Sequence, residues 1–599
     1  LSTLGWLTLA WLTLGQAGAG GGDAVVVAAA ARLPLVQEGV VVGDVGVGEL
    51  AARGLVAVDL GDDWVPRFLA GDPAAGDAGV VPFASTYRAL AAGVLDVEGV
   101  GPRAKTDRFL ELWGVYPNLS VLRARLLDGE RHACHDAVAT ADEDADDDDV
   151  FAADLLPLQP ESNEAGRRRD ADIARLRQRR LEGQAIDEVR LRRLEAIRKT
   201  VLALQGHLAC DGFLADDDVD GVFGAATARA LGLLQRREAL PVREGHLDEE
   251  TAARLRLGSL ERDWLALLRV VRERVVDARG LIEDGSALGT PGMVLGHHLD
   301  SSLVTAALRE APAPFGAGDV IASTTEAAVK ALGLATPTTA GTVLSTLPAG
   351  PVAIALPPAP PWHGPHMDLS VTLERGDVDD HGLLRPGATR RPMTTIATVH
   401  EGATITLARL PTTVGGIQRE KLGNGTIIMK KKASPTGDFV WRRLWAQPAW
   451  YAPPTTPDDE LLLWTDKGAV VNDEGIGPGY RSAYGLVMIQ HERPPTTWQG
   501  KTVYGETGIR THGTGNVRSI FRGGPSHGCH RQLPLHVGRL ASFLLAHRPH
   551  RREGPIREVW ERPLHSGQKR LTAVRTVRGV RYEFDPPIPL EVLEGCGGE

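Results

Sequence analysis

Cysteine is scarce in this sequence: Cys134, Cys210, Cys529 and Cys596 are the only four in 599 residues. So few exclude a disulfide-dense secreted scaffold, while still allowing a bridge, since four cysteines have three full pairings. Aromatic residues make up 5% of the chain, and there are 5 methionines. Positive charge is also short, with 66 Lys and Arg against 76 Asp and Glu, a net of −10, which gives no general reason to expect a nucleic-acid partner. Beyond the first fifteen residues, no stretch is long and apolar enough to cross a bilayer. The length itself rules out a single core and predicts about three to five domains.

The apolar run Leu1–Gly15, followed by the small residues of Gln16–Gly20, is short for a membrane span and reads as a signal peptide over 1–22. Residues 23–195 read as mainly helical. The Val/Ala/Gly-rich stretch 24–60 has no clear period, whereas Tyr87 to Leu127 is helix-like, with Leu90, Leu95, Phe109, Leu110, Leu112, Val121 and Leu122 as core candidates. The acidic block Asp142–Asp149 reads as a solvated linker, and Arg167 to Ile197 as a charged helix face. Residues 259–394 read as helical (Leu265, Leu267, Leu268, Val271 and Val275) and then break at the proline-rich stretch Pro357–Pro361. Thr394–His400, Ala403–Leu407 and Asn424–Met429 carry β-branched or alternating residues, so the last third reads as mainly β. The whole is therefore a multidomain α+β chain.

Residues 196–258 carry three helix stripes: Val201, Leu204 and Leu208; Thr227, Leu231 and Leu234; Thr251 and Leu255. Between the first two lies Asp220-Gly221-Val222-Phe223-Gly224. Gly221 and Gly224 suit a tight turn there, and Phe223 suits a plug beneath it. Asp216, Asp218 and Asp220 mimic the opening of a calcium loop, but its twelfth position is Thr227 rather than the bidentate Glu such a loop requires. The pattern Leu204-Gln205, Asp220 to Thr227, Leu234-Gln235, then Gly245-x-Leu247-Asp248-x-x-Thr251 resembles the small three-helix peptidoglycan-binding domain. In that resemblance Asp220, Gly221, Phe223 and Gly224 form the motif, and glycan strands are the implied partner.

The chemistry concentrates near the C-terminus. His512-Gly513 is followed by Ser526-His527-Gly528-Cys529-His530-Arg531. A cysteine with a histidine is the basic kit for covalent acyl transfer, with imidazole taking the thiol proton and the thiolate attacking a carbonyl. Gly528 permits close backbone approach, and neighbouring N–H groups suit an oxyanion. Leu533, Val537, Leu540 and Leu544 form a helix stripe, with Pro534 in a first-turn position. Cys529 should therefore sit just before a helix N-terminus, where partial positive charge, Arg531 and a histidinium favour the thiolate.

These residues resemble the YkuD-type L,D-transpeptidase catalytic domain, whose signature is His-Gly, a variable loop and Ser/Thr-x-Gly-Cys-x-Arg/Asn. Pro411–Gly415, Ser434–Phe439 and Tyr484-Gly485-Leu486 match its upstream landmarks, and the resemblance spans residues 395–595. It implies Cys529 as nucleophile, His512 as base and the Gly513 carbonyl as orienter of the imidazole. It further implies that Ser526, His527 and Gly528 shape the donor site and that Arg531 anchors a substrate carboxylate. The implied substrates are peptidoglycan stem peptides: a tetrapeptide donor loses D-Ala as the thioester forms, and an acceptor amine then attacks. No metal or cofactor is implied, nor any membrane contact beyond the signal peptide, and the implied location is the periplasm or cell envelope. The sequence departs from the pattern at His530, where the family is usually apolar, and in a loop containing Arg518 and Arg522. Trp445, Trp450 and Tyr451 either line a cleft or pack a core or lid.

Three alternatives remain at this level. Water could replace the acceptor amine, giving a hydrolase. The catalytic fold could be inactive in a wall-binding protein. His527, Cys529 and His530 could hold a metal. His132-x-Cys134-His135 is the other Cys/His cluster, for which ordinary packing is the default over a metal or redox role. His297, His298, His363, His366 and His536 are read as surface or core residues.

Overall fold

The computed structural model describes residues 31–595, apart from 70–118, 141–156, 239–244, 283–316, 422–425, 480–481, 516–518 and 521–525 and residues 63, 387, 389, 455, 466 and 568. The signal peptide, the acidic block, most of Tyr87–Leu127, His297, His298, Arg518, Arg522 and Cys596 lie outside the described residues.

The chain opens on strands β1 (Arg32–Gln37), β2 (Val40–Gly46) and β3 (Leu55–Asp59), in the stretch 24–60 that showed no clear period. Helices α1 (Leu119–Leu126) and α2 (Gly129–Thr140) follow. The charged stretch expected as one helix is two, α3 (Asn163–Leu181) and α4 (Glu188–Cys210). Ser162 caps the first by accepting from Ala165 N, and Asp187 caps the second by accepting from Arg190 N.

The three predicted stripes lie on α4, α5 (Ala225–Arg237) and α6 (Glu249–Arg256), and they close one core around Phe223, which is 1% exposed. Gln205 explains the turn between α4 and α5. Its amide nitrogen donates to Asp218 O, Val222 O, Asp220 Oδ1 and Thr227 Oγ1 at 3.0–3.1 Å, while its oxygen accepts from Gly221 N at 2.7 Å. Gln235 repeats the arrangement in the next loop, donating to His246 O and Thr251 Oγ1 and accepting from Gly245 N. Gly221 and Gly245 both adopt positive φ (79° and 71°). Gly224 does not; a Cβ there would sit 2.6 Å from Asn163 Oδ1, so a larger residue would displace that side-chain amide.

Helix α7 (Ser259–Arg279) is followed by α8 (Ala317–Ala331), α9 (Pro337–Thr346) and strand β4 (Pro351–Ala355). β4 inserts between the N-terminal strands, giving the order β2-β1-β4-β3, parallel to β1 and antiparallel to β3. Its faces pack with α1, α7, α8 and α9 around Val36, Val58, Leu122, Leu267, Val271, Leu332 and Ile354. Residues on both sides of the three-helix core therefore build one α/β unit, with that core inserted into it. The disulfide Cys134–Cys210 joins α2 to α4 across 76 residues, with Cα atoms 5.7 Å apart. This bridge replaces the metal or redox reading of the Cys134 cluster. His132 Nδ1 lies 2.6 Å from Ser259 Oγ, and His135 contacts His207 and Asp211.

The last unit is a nine-stranded sheet. Its strands are β5 (Leu369–Glu374), β6 (Met393–His400), β7 (Ala403–Pro411), β10 (Gly437–Ala446), β13 (Val487–Glu492), β16 (Glu506–His512), β17 (His530–Arg531), β18 (His550–Ser566) and β19 (Lys569–Leu593). Hairpins β8 (Ile417–Lys421) with β9 (Ile427–Lys431), β11 (Leu462–Thr465) with β12 (Gly468–Val471), and β14 (Thr496–Trp498) with β15 (Lys501–Val503) project from it. A short helix α10 (Asp473–Ile476) also lies in this part of the chain. The expected start at 395 cuts through β6 and omits β5, whose parallel pairing to β19 places it inside the sheet. The predicted stripe is α11 (Pro534–His547), with Leu533, Val537, Leu540 and Leu544 all fully buried. Trp64, Phe68 and Leu69 from the N-terminal segment enter the same core. Trp445 is also buried, and Tyr451 stacks on Trp560 at 5.6 Å, so packing accounts for these rings.

Candidate functional site

The edge strand β17 and its neighbour β16 assemble the site. β16 and β17 are parallel, with Thr511 opposite His530 and His512 opposite Arg531. Just before the strand, Cys529 is contacted by the backbone and side chain of Arg510. Side chains alternate along a strand, so Arg510, His512 and Arg531 share one face, while Thr511 and His530 point to the other. Strand pairing thus brings Arg531, two residues after the cysteine, opposite His512, although the two motifs lie 17 positions apart in sequence.

The loop carrying the cysteine is tied down from several sides. Ser526 Oγ donates to the Cys529 carbonyl and accepts from Gly528 N, and Ser526 N donates to Val414 O. Gln418 Nε2 donates to Ser526 O at 2.6 Å. Ser434 Oγ bridges the landmark loops, accepting from Gly415 N at 2.9 Å and donating to Gly528 O at 3.0 Å. A Cβ at Gly415 would collide with the Lys432 carbonyl and the Gly528 backbone, so the loops meet only because that position is glycine. Gly528 itself lies at φ +101°. His527 is exposed beside this loop.

His512 is buried, and its Nδ1 lies 2.5 Å from Gly513 O. A carbonyl only accepts, so Nδ1 carries the proton and Nε2 is left as the basic nitrogen. Gly513 is held by the backbone of Gly485, whose Cβ would stand 2.8 Å from Gly513 Cα. The Tyr484 ring meets the imidazole edge-on at 4.9 Å.

Electrostatics correct one expectation. Burial pushes the Cys529 thiol above its ordinary value, opposed by Arg510 and Arg531. Burial first, and Arg531 next, hold His512 down to about 3, against the pull of the Gly513 carbonyl. The resting pair is therefore neutral thiol and neutral imidazole, not thiolate and imidazolium. Desolvation penalises the charged form of both groups; at the thiol it outweighs Arg510 and Arg531, and at His512 the same cations reinforce it.

Two residues were not singled out as part of the site. Arg510 lies against the thiol; its strand position two residues before His512 is the signal that could have found it. His491 stacks on His530 at 5.3 Å with ring planes 8° apart and bonds Thr511 Oγ1 through Nε2 at 2.8 Å. His530 is fully buried on the far side of β17, held down to about 3 by desolvation. That placement separates it from His527 and Cys529 and removes the proposed metal trio. Among the described residues, no group of three or more His, Cys, Asp or Glu could hold a metal ion, and no helix is long and apolar enough to cross a membrane. Asp220, once considered for calcium, caps its own turn by accepting from Val222 N at 2.8 Å. The motif residues Asp220, Gly221, Phe223 and Gly224 are thus occupied in building the turn, which Arg169 and Glu161 also cover through Gly221 O and Phe223 N.

No curated protein and no solved structure matches the chain. Residues 198–255 match the family described as "Putative peptidoglycan binding domain", so the three-helix core is supported as a peptidoglycan-binding domain and the chain as a cell-wall-associated protein.

Proposed function

We propose that this protein is a cysteine-dependent L,D-transpeptidase acting on peptidoglycan stem peptides. The observation that carries the reading is the β16–β17 pair, which joins the strand ending in His512 to the segment that follows Cys529, with the imidazole oriented by Gly513 O. The basic Nε2 takes the thiol proton as sulfur attacks the carbonyl of the donor's third residue. A tetrahedral oxyanion forms. It collapses by expelling D-Ala, whose amine leaves with the proton from His512, and a thioester remains. An acceptor amine then attacks, His512 removes its proton, and the new amide forms as Cys529 is released as thiol. Arg531, beside His512, supplies a cation for a donor carboxylate. The peptidoglycan-binding domain supports a wall substrate, and the Cys134–Cys210 disulfide fits an oxidising compartment such as the periplasm.

The test is to incubate the purified protein with a disaccharide-tetrapeptide and follow free D-Ala and cross-linked product. Release of D-Ala with a dimeric product is expected. D-Ala with tripeptide alone would instead mark water as the acceptor. A Cys529→Ala protein that still releases D-Ala would sink the mechanism.

A further inference from the structure

Arg510 has a position that the proposed chemistry leaves unexplained. It stands against Cys529, while the parallel register sets Arg531 opposite His512. Both guanidinium groups act on both reactive groups, Arg510 more strongly on the thiol and Arg531 more strongly on His512. Arg510 contacts the thiol through both backbone and side chain. Its remaining contacts hold it there: Nη1 donates to Gly508 O at 2.6 Å, and the guanidinium lies 5.8 Å from the centre of the Tyr484 ring. Its Nε is buried with no hydrogen-bond partner among the described residues. A buried donor nitrogen without a partner is costly unless an acceptor stands beside it. The sulfur is the atom beside it that becomes negative during the reaction.

We propose that Arg510 is a positioning residue for the nucleophile, stabilising the Cys529 thiolate as His512 removes its proton. Arg531 is thereby left free for substrate. This division rests on Cys529 being the reactive thiol, the same premise as the proposed function. Loss of Arg510 deprives a desolvated sulfur of its nearest cation, and an opposite charge at such range shifts an ionisation by about one pH unit or more. The fraction ionised at neutral pH then falls about tenfold, while the more basic sulfur is intrinsically about threefold more nucleophilic, so alkylation slows about threefold.

The experiment is the rate of Cys529 alkylation by iodoacetamide as a function of pH in the full chain, for wild type, Arg510→Gln and Arg510→Lys. In Arg510→Gln the titration is expected to move to higher pH and the neutral rate to fall about threefold, with Arg510→Lys restoring most of both. Thermal unfolding of each variant reports whether it is folded, and the lysine variant, which retains the charge, carries the test if the glutamine variant is not. An unmoved titration in a folded glutamine variant would overturn the proposal. So would a rate lowered equally at every pH, or a lysine variant that behaves like glutamine in a folded protein. Alkylation reads the thiol without any wall substrate. A shifted titration without D-Ala release would therefore count against the transpeptidase reading alone, and D-Ala release with an unmoved titration against Arg510 alone.

Discussion

Replacing His512 by alanine is expected to lower D-Ala release from a tetrapeptide donor by about a thousandfold, within the usual range for loss of a general base. The effect is large because the resting pair is neutral. With the thiol raised by burial and the imidazole held down to about 3, no standing thiolate population can bypass the base. The pH profile carries a second signature. An ordinary histidine base would give an acid limb near its reference value of about 6.5. His512 should give none there, so activity is expected to stay level through that region and to fall only where the domain itself unfolds. Steady-state release against pH, overlaid on circular dichroism, checks this. A His512→Ala protein within tenfold of wild type, or an acid limb near 6.5 in a folded enzyme, would contradict it.

Acid unfolding is the second large effect. In the sheet domain His512, His530 and His536 are held down to about 3, His547 to about 4, and His491 well below its ordinary value, each chiefly by burial. An unfolded chain regains a histidine value of about 6.5 and takes up these protons first. The stability gained from keeping them neutral is full above that value and is lost as pH falls from it towards the folded values. Each histidine contributes a slope of up to about 1.4 kcal/mol per pH unit, so five together give about 7 kcal/mol per unit. Against a typical total stability of about 5–15 kcal/mol, the sheet domain should unfold within about one to two pH units below 6.5. Melting temperatures measured between about pH 7 and about pH 5 should fall steeply. His536→Leu, which removes a fully buried ring on α11 that is not part of the site, should make the slope shallower. A melting temperature flat over that range would contradict the account.

The parts of this molecule legible in its sequence are those set by near neighbours along the chain. The stripe Leu533, Val537, Leu540 and Leu544 is a buried helix because 3.6-residue periodicity is local. The peptidoglycan-binding turn is similarly local, with Gln205 and Thr227 converging on one loop. What was hidden depends on partners distant in sequence. β4 completes a sheet begun more than three hundred residues earlier, and no periodicity announces that pairing. Neither did spacing select Cys134–Cys210 from the three full pairings. The site shows the same division. Cys529, His512, Gly513, Ser526 and Gly528 were visible as a motif, but the charge state of the thiol was misread. Helix position and neighbouring cations can be read from order, whereas desolvation is a property of the packed fold. Arg510 became visible only when its contact with Cys529 was known.

The most direct measurement is the intact mass of the protein after exposure to a carbapenem, followed by peptide mapping. A strained β-lactam amide acylates an attacking thiol by ring opening, so the whole mass of the drug is retained. The account predicts one drug molecule per chain, on the peptide containing Cys529, with no adduct in Cys529→Ala. An unmodified wild-type protein, or an adduct that persists in Cys529→Ala, would contradict it.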